Sequence, residues 1–183
     1  MDSRLIVRAQ RGDERAFADL TTAIGARLHR VALGILRDRD LAEDAMQAAL
    51  VQIWRSLPSL RDPSSFEAWT TKLLVNACYA EAKRAKRWLP HVLEDVSGRD
   101  DLRSVLDRDQ IERAFARLSL DQRTVLVLRY YLDQPAETVA SVLGVPVGTV
   151  HSRLHRATDA MRSSLAADAR PTLVARTDGG AGR

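Results

Sequence analysis

The chain has 183 residues, of which 45% are hydrophobic, so it can form the compact core of one domain or of two small ones. A formal charge of +4 and an isoelectric point near 9.7 are compatible with a nucleic-acid partner, although they do not require one. Cys78 is the only cysteine, which excludes an internal disulfide and a metal site built on thiolates alone.

Two helices are predicted at the start of the chain. Residues 4–11 form the first, which ends at Gly12, and Asp13 can cap the second. Apolar residues then recur at the three- and four-residue steps of one helix face: Phe17, Leu20, Ile24, Leu28, Val31 and Ile35. The polar segment 37–40 predicts a turn after this helix.

A third helix is predicted over about 41–57, with Asp40 and Glu43 spaced as a capping box at its start. It carries two apolar stripes, one of Leu41, Ala45, Ala49, Ile53 and Leu57 and a neighbouring one of Met46, Leu50 and Trp54. One stripe can face the core of its own domain. The other, edged by Asp44, Gln47 and Arg55, can contact a partner. Burial of both stripes within one domain is the alternative, and the pattern alone favours it.

A fourth helix, over roughly 65–88, follows a loop with two prolines, and Ser64 with Glu67 is spaced as its capping box. The residues expected to face the core are Phe66, Trp69, Leu73, Ala77 and Ala80. A second stripe is polar and basic, and it consists of Lys72, Asn76, Tyr79, Lys83 and Lys86, flanked by Arg84 and Arg87. Such a stripe can lie along a phosphate backbone while Asn76 and Tyr79 contact an unpaired base. An ordinary solvated helix face is equally compatible with the pattern.

The segments 89–106 and 166–183 differ from the rest of the chain. The first is acidic and is interrupted by proline and glycine, which is typical of a flexible linker between domains. The second is rich in Ala, Asp, Gly and Arg without periodicity, and we expect a disordered tail. Residues 1–88 and 107–165 are therefore the two predicted domains.

The second domain ends in a predicted helix-turn-helix. On an earlier helix of this domain, Ile111, Phe115 and Leu118 are expected to face inward. Ser119 and Gln122 form a capping box for the next helix, which Val125, Leu128 and Leu132 line. A short helix then ends at Gly144, and a longer one follows with Val150, Leu154, Ala157 and Met161 on one face.

The outward face of the last helix is made of hydrogen-bonding side chains: His151, Ser152, Arg153, His155 and Arg156. These groups suit the donor and acceptor pattern of the DNA major groove. A helical hairpin inside some other all-helical protein is the alternative. With no alternating apolar run anywhere, the predicted fold is all-α, with two small helical domains joined by a flexible linker.

Enzymatic chemistry finds little support in the sequence. His151 and His155 are four residues apart, as in some metal pairs, but Ser152 stands where a zinc peptidase has glutamate and no third ligand is near. We expect no metal, no cofactor and no enzymatic activity. The chain also lacks an apolar run of membrane-spanning length and a signal-peptide core, so we expect a soluble cytoplasmic protein without membrane insertion.

Two separate segments give the chain a resemblance to bacterial sigma factors of the extracytoplasmic-function group. The first is Glu43-Asp44 with Gln47 and 51–54, followed by 66–69 with Asn76. The second runs from Leu118-Ser119 to Arg156-Ala157 and includes Gly148-Thr149-Val150. Together they cover about residues 5–165, which is nearly all of the periodic part of the chain.

The resemblance implies a function and a set of contacts. Asp44, Gln47 and Trp54 would contact the core of RNA polymerase, whose beta-prime clamp and beta flap would be the parts bound by the chain. Minus-ten DNA contacts would be Lys72, Asn76, Tyr79, Lys83 and Arg84. Minus-thirty-five contacts would be His151, Ser152, Arg153, His155 and Arg156. An anti-sigma factor would be a further partner.

Five positions depart from the pattern of that group. Ala48 and Ala80 stand where polar residues are common, Asp133 replaces a usual glycine, and Pro135 replaces a usual helix-capping serine. His151 replaces a usual Arg or Lys, and a neutral imidazole binds phosphate less strongly. The main alternative function is a helix-turn-helix transcription regulator that does not bind polymerase as a sigma subunit. It would need an effector or receiver domain, and the N-terminal half lacks the strand–helix alternation of a receiver.

Overall fold

The structure, a computed structural model, describes residues 3–88 and 106–168, which form eight α-helices and no strand. The N-terminal module contains α1 (Ser3–Gln10), α2 (Glu14–Leu36), α3 (Arg39–Ser56) and α4 (Phe66–Trp88). The C-terminal module contains α5 (Leu106–Ala116), α6 (Leu120–Leu126), α7 (Ala136–Leu143) and α8 (Val147–Asp168). The all-α prediction is confirmed. The predicted linker lies outside the described residues except for Leu106, and so does the tail beyond Asp168.

The core of the N-terminal module is formed by α2 packed against α3 and α4, with α1 across α2. The predicted stripe of α2 is confirmed, because all its members are buried except Phe17, which is half-buried. On α3 the buried stripe consists of Ala42, Ala45, Ala49 and Ile53. The three alanines are small enough to allow α3 and α4 to approach closely. The second stripe of α3, which is Met46, Leu50 and Trp54, is only partly buried. Helix α3 is therefore not completely buried on two sides within its own domain.

Aspartates cap the helices of the N-terminal module. Asp13 accepts a hydrogen bond from the backbone N–H of Ala16 at 3.0 Å, as predicted. The capping box predicted at Asp40 is wrong, because Arg37 ends α2 in the left-handed conformation and Asp38 is the last extended residue before α3. The Asp38 carboxylate accepts from the N–H of Leu41 at 2.8 Å.

The predicted start of α4 is also wrong in detail. Residues Pro63–Ser65 form a 3-10 turn that leads into the helix, and Asp62 caps this turn by accepting from the N–H of Ser64 at 2.9 Å. Proline is favourable at the first position of such a turn, because its φ is already fixed near the required value. The carboxylate of Asp62 therefore has the capping role that the sequence analysis gave to Ser64.

The buried face of α4 is rotated relative to the predicted one. Phe66 is buried as predicted, but Trp69, Leu73 and Ala77 are only partly buried and Ala80 is exposed. The residues that fill the core are instead Thr70, Thr71, Leu74, Val75, Cys78 and Ala82. The two threonines are tolerated there because their hydroxyls donate to the carbonyl of Glu67, which leaves no unsatisfied polar group.

The C-terminal module packs α5, α6 and α7 around α8. The predicted capping box is confirmed, with Ser119 accepting from the N–H of Gln122 and Gln122 accepting from the N–H of Ser119. The prediction that Ile111 faces inward is wrong. Its side chain is 51% exposed, whereas Ala114 of the same helix, which packs against α8, is fully buried. Helix α8 also continues to Asp168, three residues beyond the predicted end of the domain.

The predicted helix-turn-helix is formed by α7 and α8. Gly144 ends α7 at φ +65°, a conformation that glycine adopts without strain, and Val145-Pro146 connects it to α8. Val150 and Ala157 of α8 are fully buried, and Leu154 and Met161 are partly buried, as their spacing predicts. The opposite face of α8 therefore remains in solvent.

Removing the Ser119 cap is expected to destabilise the C-terminal module. In Ser119→Ala the N–H of Gln122 loses its side-chain acceptor, which should lower the free energy of unfolding by about 1 kcal/mol. Urea denaturation followed by circular dichroism measures the change. Ser163→Ala, an exposed site within α8, is the matched control and should be neutral or slightly stabilising. Equal stability of both variants would show that the cap contributes nothing.

The two modules share one hydrophobic core. Val125, Val127 and Leu128 of the C-terminal module belong to the same buried cluster as α2 and α4, and α7 packs against α4. A five-residue π-helical turn, Val127–Tyr131, follows α6 and lies against α2. In the described residues, no helix is both long enough and apolar enough to cross a bilayer.

Candidate functional site

The basic stripe of α4 lies on the solvent side of the N-terminal module. Lys72, Asn76, Lys83 and Lys86 are all exposed, and so are Arg84 and Arg87. The cations follow one another along about four turns of the helix. A surface of this kind attracts a polyanion over its length, because each exposed cation can replace a counterion at a phosphate.

Tyr79 is the exception in this stripe, because it is half-buried at the boundary with the C-terminal module. Its hydroxyl donates to Oδ1 of Asp121 on α6 at 2.7 Å. Burial, and secondarily the hydrogen bond to the Asp121 carboxylate, raise the pKa of Tyr79 to about 12. The phenol is therefore neutral at physiological pH, and in this structure its hydroxyl is already hydrogen-bonded to Asp121.

The predicted polymerase contacts form a second surface, on α3. Asp44, Gln47 and Trp54 are all exposed. The Trp54 side chain remains 38% exposed, and its ring rests on Phe17 with centroids 4.6 Å apart. Val51, one turn before Trp54, is 48% exposed, although the sequence analysis did not select it as a site residue. Its spacing of four residues from Gln47 and three from Trp54 places it on the same helix face, and this spacing could have identified it.

An ion pair joins the two surfaces of the N-terminal module. The guanidinium of Arg84, a predicted DNA contact, lies 2.7 Å from a carboxylate oxygen of Asp44, a predicted polymerase contact. Arg84 also pairs with Glu81 at 2.7 Å. Both Arg84 and Asp44 are more than half exposed, so this pair adds little to stability. The pair places a predicted DNA contact on α4 directly beside a predicted polymerase contact on α3.

The third surface is the outward face of α8, where His151, Ser152, His155 and Arg156 are exposed. Arg156 stays close to its own helix, with Nε donating to the carbonyl of Ser152 at 3.2 Å. His155 lies 3.1 Å from a carboxylate oxygen of Asp159. The exposed groups can donate and accept hydrogen bonds along about one and a half turns, and side chains of this kind on a recognition helix contact base edges in the major groove.

Arg153 differs from the other predicted contacts on α8. Its side chain is only 24% exposed, and its guanidinium lies 3.0 Å from Oδ2 of Asp121. Asp121 therefore contacts Tyr79 with one carboxylate oxygen and Arg153 with the other. Sequence analysis did not identify Asp121, since an aspartate in the first turn of a helix is most simply explained by the helix dipole.

Two departures from the expected pattern have visible structural consequences. Asp133, at a usual glycine position, adopts φ +50°, a left-handed conformation that aspartate tolerates better than most residues. Pro135 precedes α7 as its capping residue without a side-chain hydrogen bond. A serine there would have supplied that bond, so α7 begins with one fewer satisfied N–H.

Cys78 is expected to be unreactive in the folded protein. It is fully buried, and burial raises the pKa of its thiol to about 12, so almost no thiolate exists near pH 8. Labelling with an aromatic disulfide reagent should be much slower in native protein than in urea. Equal rates in the two conditions would contradict the burial of this thiol.

Two sequence profiles cover most of the described chain. The profile of sigma-70 region 2 matches residues 20–88, and that of sigma-70 region 4 matches residues 108–161. These segments coincide with most of the N-terminal and C-terminal modules. The resemblance found in the two sequence segments is thereby confirmed independently for each.

Known sigma factors show the same similarity over most of their length. The RNA polymerase sigma-H factor of Pseudomonas aeruginosa is 30% identical over 90% of this chain and 93% of its own. The extracytoplasmic-function sigma factor SigM of Mycobacterium tuberculosis is 32% identical over 85% of this chain and 80% of its own. The sigma factor RpoE of Bartonella quintana, solved with the anti-sigma factor NepR, superimposes with a TM-score of 0.67 at 25% identity, over 83% of this chain and 98% of that one.

The fold and these matches define a promoter-recognition subunit of bacterial RNA polymerase. The chain belongs to the sigma-70 family, in its extracytoplasmic-function group. It is a sigma factor that directs promoter-specific transcription, with RNA polymerase and promoter DNA as its partners. Sigma factors are regulatory proteins and not enzymes.

Proposed function

We propose that the three exposed surfaces divide the work of promoter recognition. The α3 surface binds core RNA polymerase, the α4 stripe binds the minus-ten element, and the α8 face binds the minus-thirty-five element. The observation that carries this proposal is that the three predicted sets of contacts lie on three separate helices, each with most of its members in solvent.

The α3 surface suits a stable protein interface. Trp54 and Val51 provide apolar area in the middle, and Gln47 with Asp44 provides a polar edge. A partly exposed tryptophan surrounded by polar groups is typical of residues that dominate binding energy. The clamp of the polymerase is the proposed partner here, and the beta flap is proposed for the C-terminal module.

The α4 stripe suits DNA that is partly unpaired. Lys72, Lys83 and Arg84 can neutralise phosphates, while Asn76 can hydrogen-bond to a base edge. Tyr79 can stack with an unpaired base once its ring is accessible, which recovers part of the cost of unstacking that base. These residues would hold the minus-ten element in its opened form.

The α8 face suits duplex DNA. Arg156 can contact a guanine edge or a phosphate, and His151, Ser152 and His155 can contact neighbouring base edges or phosphates. Arg153 is proposed here as well, although its pairing with Asp121 limits its reach in this structure. The modules joined through residues 89–105 would bind cooperatively, because binding of one raises the effective concentration of the other.

The chain would act in the cytoplasm under the control of an anti-sigma factor. A sigma factor similar to it has been solved with such an inhibitor. We place the module boundaries at residues 1–88 and 106–168, and we assign no enzymatic activity, metal or cofactor to the chain.

Transcription from a random promoter library tests this function. Purified core polymerase with the chain should initiate from a small set of sequences that share two motifs at a fixed spacing. Permanganate footprinting on a selected promoter should detect unpaired thymines only in the downstream motif. Initiation that is independent of the added chain, or a selected set with a single motif, would contradict the proposal.

A further inference from the structure

The contact between the modules depends on a close approach at α2. A Cβ atom placed on Gly34 would lie 3.1 Å from Cγ2 of Val127 in the π-helical turn, which is tighter than an ordinary contact. Val127 is buried and β-branched, so it has little freedom to move away. Glycine at position 34 therefore allows the C-terminal module to lie directly on α2.

A single guanidinium also connects the modules. Arg123 of α6 donates from Nε to the carbonyl of Ile35 at 2.8 Å, in the last turn of α2. Its Nη1 donates to the carbonyl of Leu118 at 3.1 Å, within its own module. The carbonyl of Ile35 has no helical partner because α2 ends one residue later, so Arg123 supplies a donor that the N-terminal module lacks at this end.

Asp121 holds side chains that the proposed function assigns to two different promoter elements. Tyr79 belongs to the minus-ten stripe and Arg153 to the minus-thirty-five face, yet both contact the same carboxylate. The names of the two elements imply a separation of about 25 base pairs, which is roughly 85 Å along duplex DNA. One carboxylate cannot hold both side chains while each occupies its own element.

The promoter-bound chain must therefore differ from this closed arrangement. The closed form still exposes the α3 surface and the four outer residues of α8, which are His151, Ser152, His155 and Arg156. It withholds Tyr79, whose hydroxyl is hydrogen-bonded to Asp121 of α6 and whose side chain is half-buried. Polymerase and duplex DNA can thus contact the closed chain before an unpaired base can stack on Tyr79.

We propose that the Tyr79–Asp121–Arg153 contact is an autoinhibitory latch that withholds the base-stacking tyrosine until the modules separate. The inference rests on the proposed function, because it takes Tyr79 as a minus-ten contact. It predicts that the free chain binds single-stranded minus-ten DNA weakly. It also predicts that any change which weakens the contact between modules strengthens that binding in the absence of polymerase.

Gly34 and Gly25 provide a matched pair of variants within α2. Gly34→Ala and the larger Gly34→Leu should push Val127 away and open the modules, whereas a Cβ at Gly25 meets nothing within 4 Å. Alanine raises helix propensity equally at both sites, so Gly25→Ala controls for that effect. Tyr79→Phe is the third variant, because it removes only the hydroxyl that Asp121 accepts from.

Opening is measured in the full chain with spin labels on α2 and α8, at Arg15→Cys and Ser163→Cys, both of which are exposed sites. Buried Cys78 should not be labelled. Wild type and Gly25→Ala should give one short distance. Tyr79→Phe and Gly34→Ala should add a longer one, with Gly34→Leu showing the most. Overpacking by one methyl group should change the opening equilibrium roughly fivefold to 150-fold.

Binding of a fluorescent single-stranded oligonucleotide with the selected minus-ten sequence should strengthen in the same order for the glycine variants. The latch is overturned if the Gly34 variants stay closed, if Tyr79→Phe leaves the distances unchanged, or if opened chains bind the oligonucleotide no better. Library transcription with wild-type chain separates the two proposals. Its success alongside any of these results would leave the sigma function standing without the latch.

Discussion

Replacing Trp54 with alanine is expected to weaken binding of core RNA polymerase by about 30-fold or more, since truncating a central interface tryptophan typically costs at least about 2 kcal/mol. Trp54 provides most of the exposed aromatic area of α3 and is already held in place by Phe17. Little of its conformational freedom would therefore be lost on binding. Fluorescence anisotropy of labelled full-length chain titrated with purified core polymerase measures the effect.

Leu33→Ala is the control for this loss, because Leu33 is an apolar residue with the same 38% exposure but lies on α2, outside the α3 surface. It should bind polymerase like wild type. Circular dichroism must show that Trp54→Ala remains folded, since Phe17 loses its ring contact. A folded Trp54→Ala chain that binds polymerase as tightly as wild type would remove α3 from the interface.

Arg156→Ala and Lys83→Ala are expected to weaken promoter binding of the holoenzyme in two distinct ways. Loss of a base contact at Arg156 should cost about 1–3 kcal/mol, or roughly fivefold to 150-fold, and relax specificity in the upstream motif. Loss of a phosphate contact at Lys83 should weaken binding of all sequences similarly and reduce the salt slope by about 1. Filter binding to promoter variants at several salt concentrations measures both.

Arg15→Ala and Arg162→Ala provide charge-matched controls, since each removes an exposed cation that lies outside the α4 stripe and outside the predicted contacts of α8. Either should change affinity less than Lys83→Ala or Arg156→Ala. If Arg156→Ala and Lys83→Ala lose affinity equally on every sequence, both residues contact only phosphate. The proposed division of labour between the modules would then be wrong.

Helix periodicity predicted most of the fold because the two modules are built from local patterns. The stripe of α2, the Ser119 capping box and the Gly144 stop each depend on residues close together in sequence, and each is confirmed. Predictions failed where packing between helices determines which residues are buried. The buried face of α4 is set by the small residues of α3 and by α7, so Leu74 and Val75 are buried instead of Ala80.

The caps show a second limit of sequence reasoning. The sequence predicts caps at Asp40 and Ser64, each three residues before a glutamate, whereas the structure has them at Asp38 and Asp62. The backbone conformation decides such cases, and a left-handed Arg37 could not be anticipated from its residue type. Asp121 illustrates the same limit at the site, since its two partners are 42 and 32 residues away in sequence.

The predicted site residues lie where their helical spacing places them, with two exceptions. Tyr79 and Arg153 are drawn into the contact between the modules, and no pattern within one helix indicates this. The need for glycine at position 34 could not be predicted either, because it depends on the close approach of Val127 from the other module. The exposed residues of each surface could be predicted from the sequence. The contacts that Tyr79 and Arg153 make with Asp121 could be seen only in the tertiary structure.

Single-round run-off transcription tests the central claim most directly. Core polymerase alone, core with wild-type chain and core with Trp54→Ala chain are compared on one promoter selected from the library. We expect a product with a single defined 5′ end only with the wild-type chain, strongly reduced with Trp54→Ala. The same product from core polymerase alone, or none with the wild-type chain on any selected template, would contradict the account.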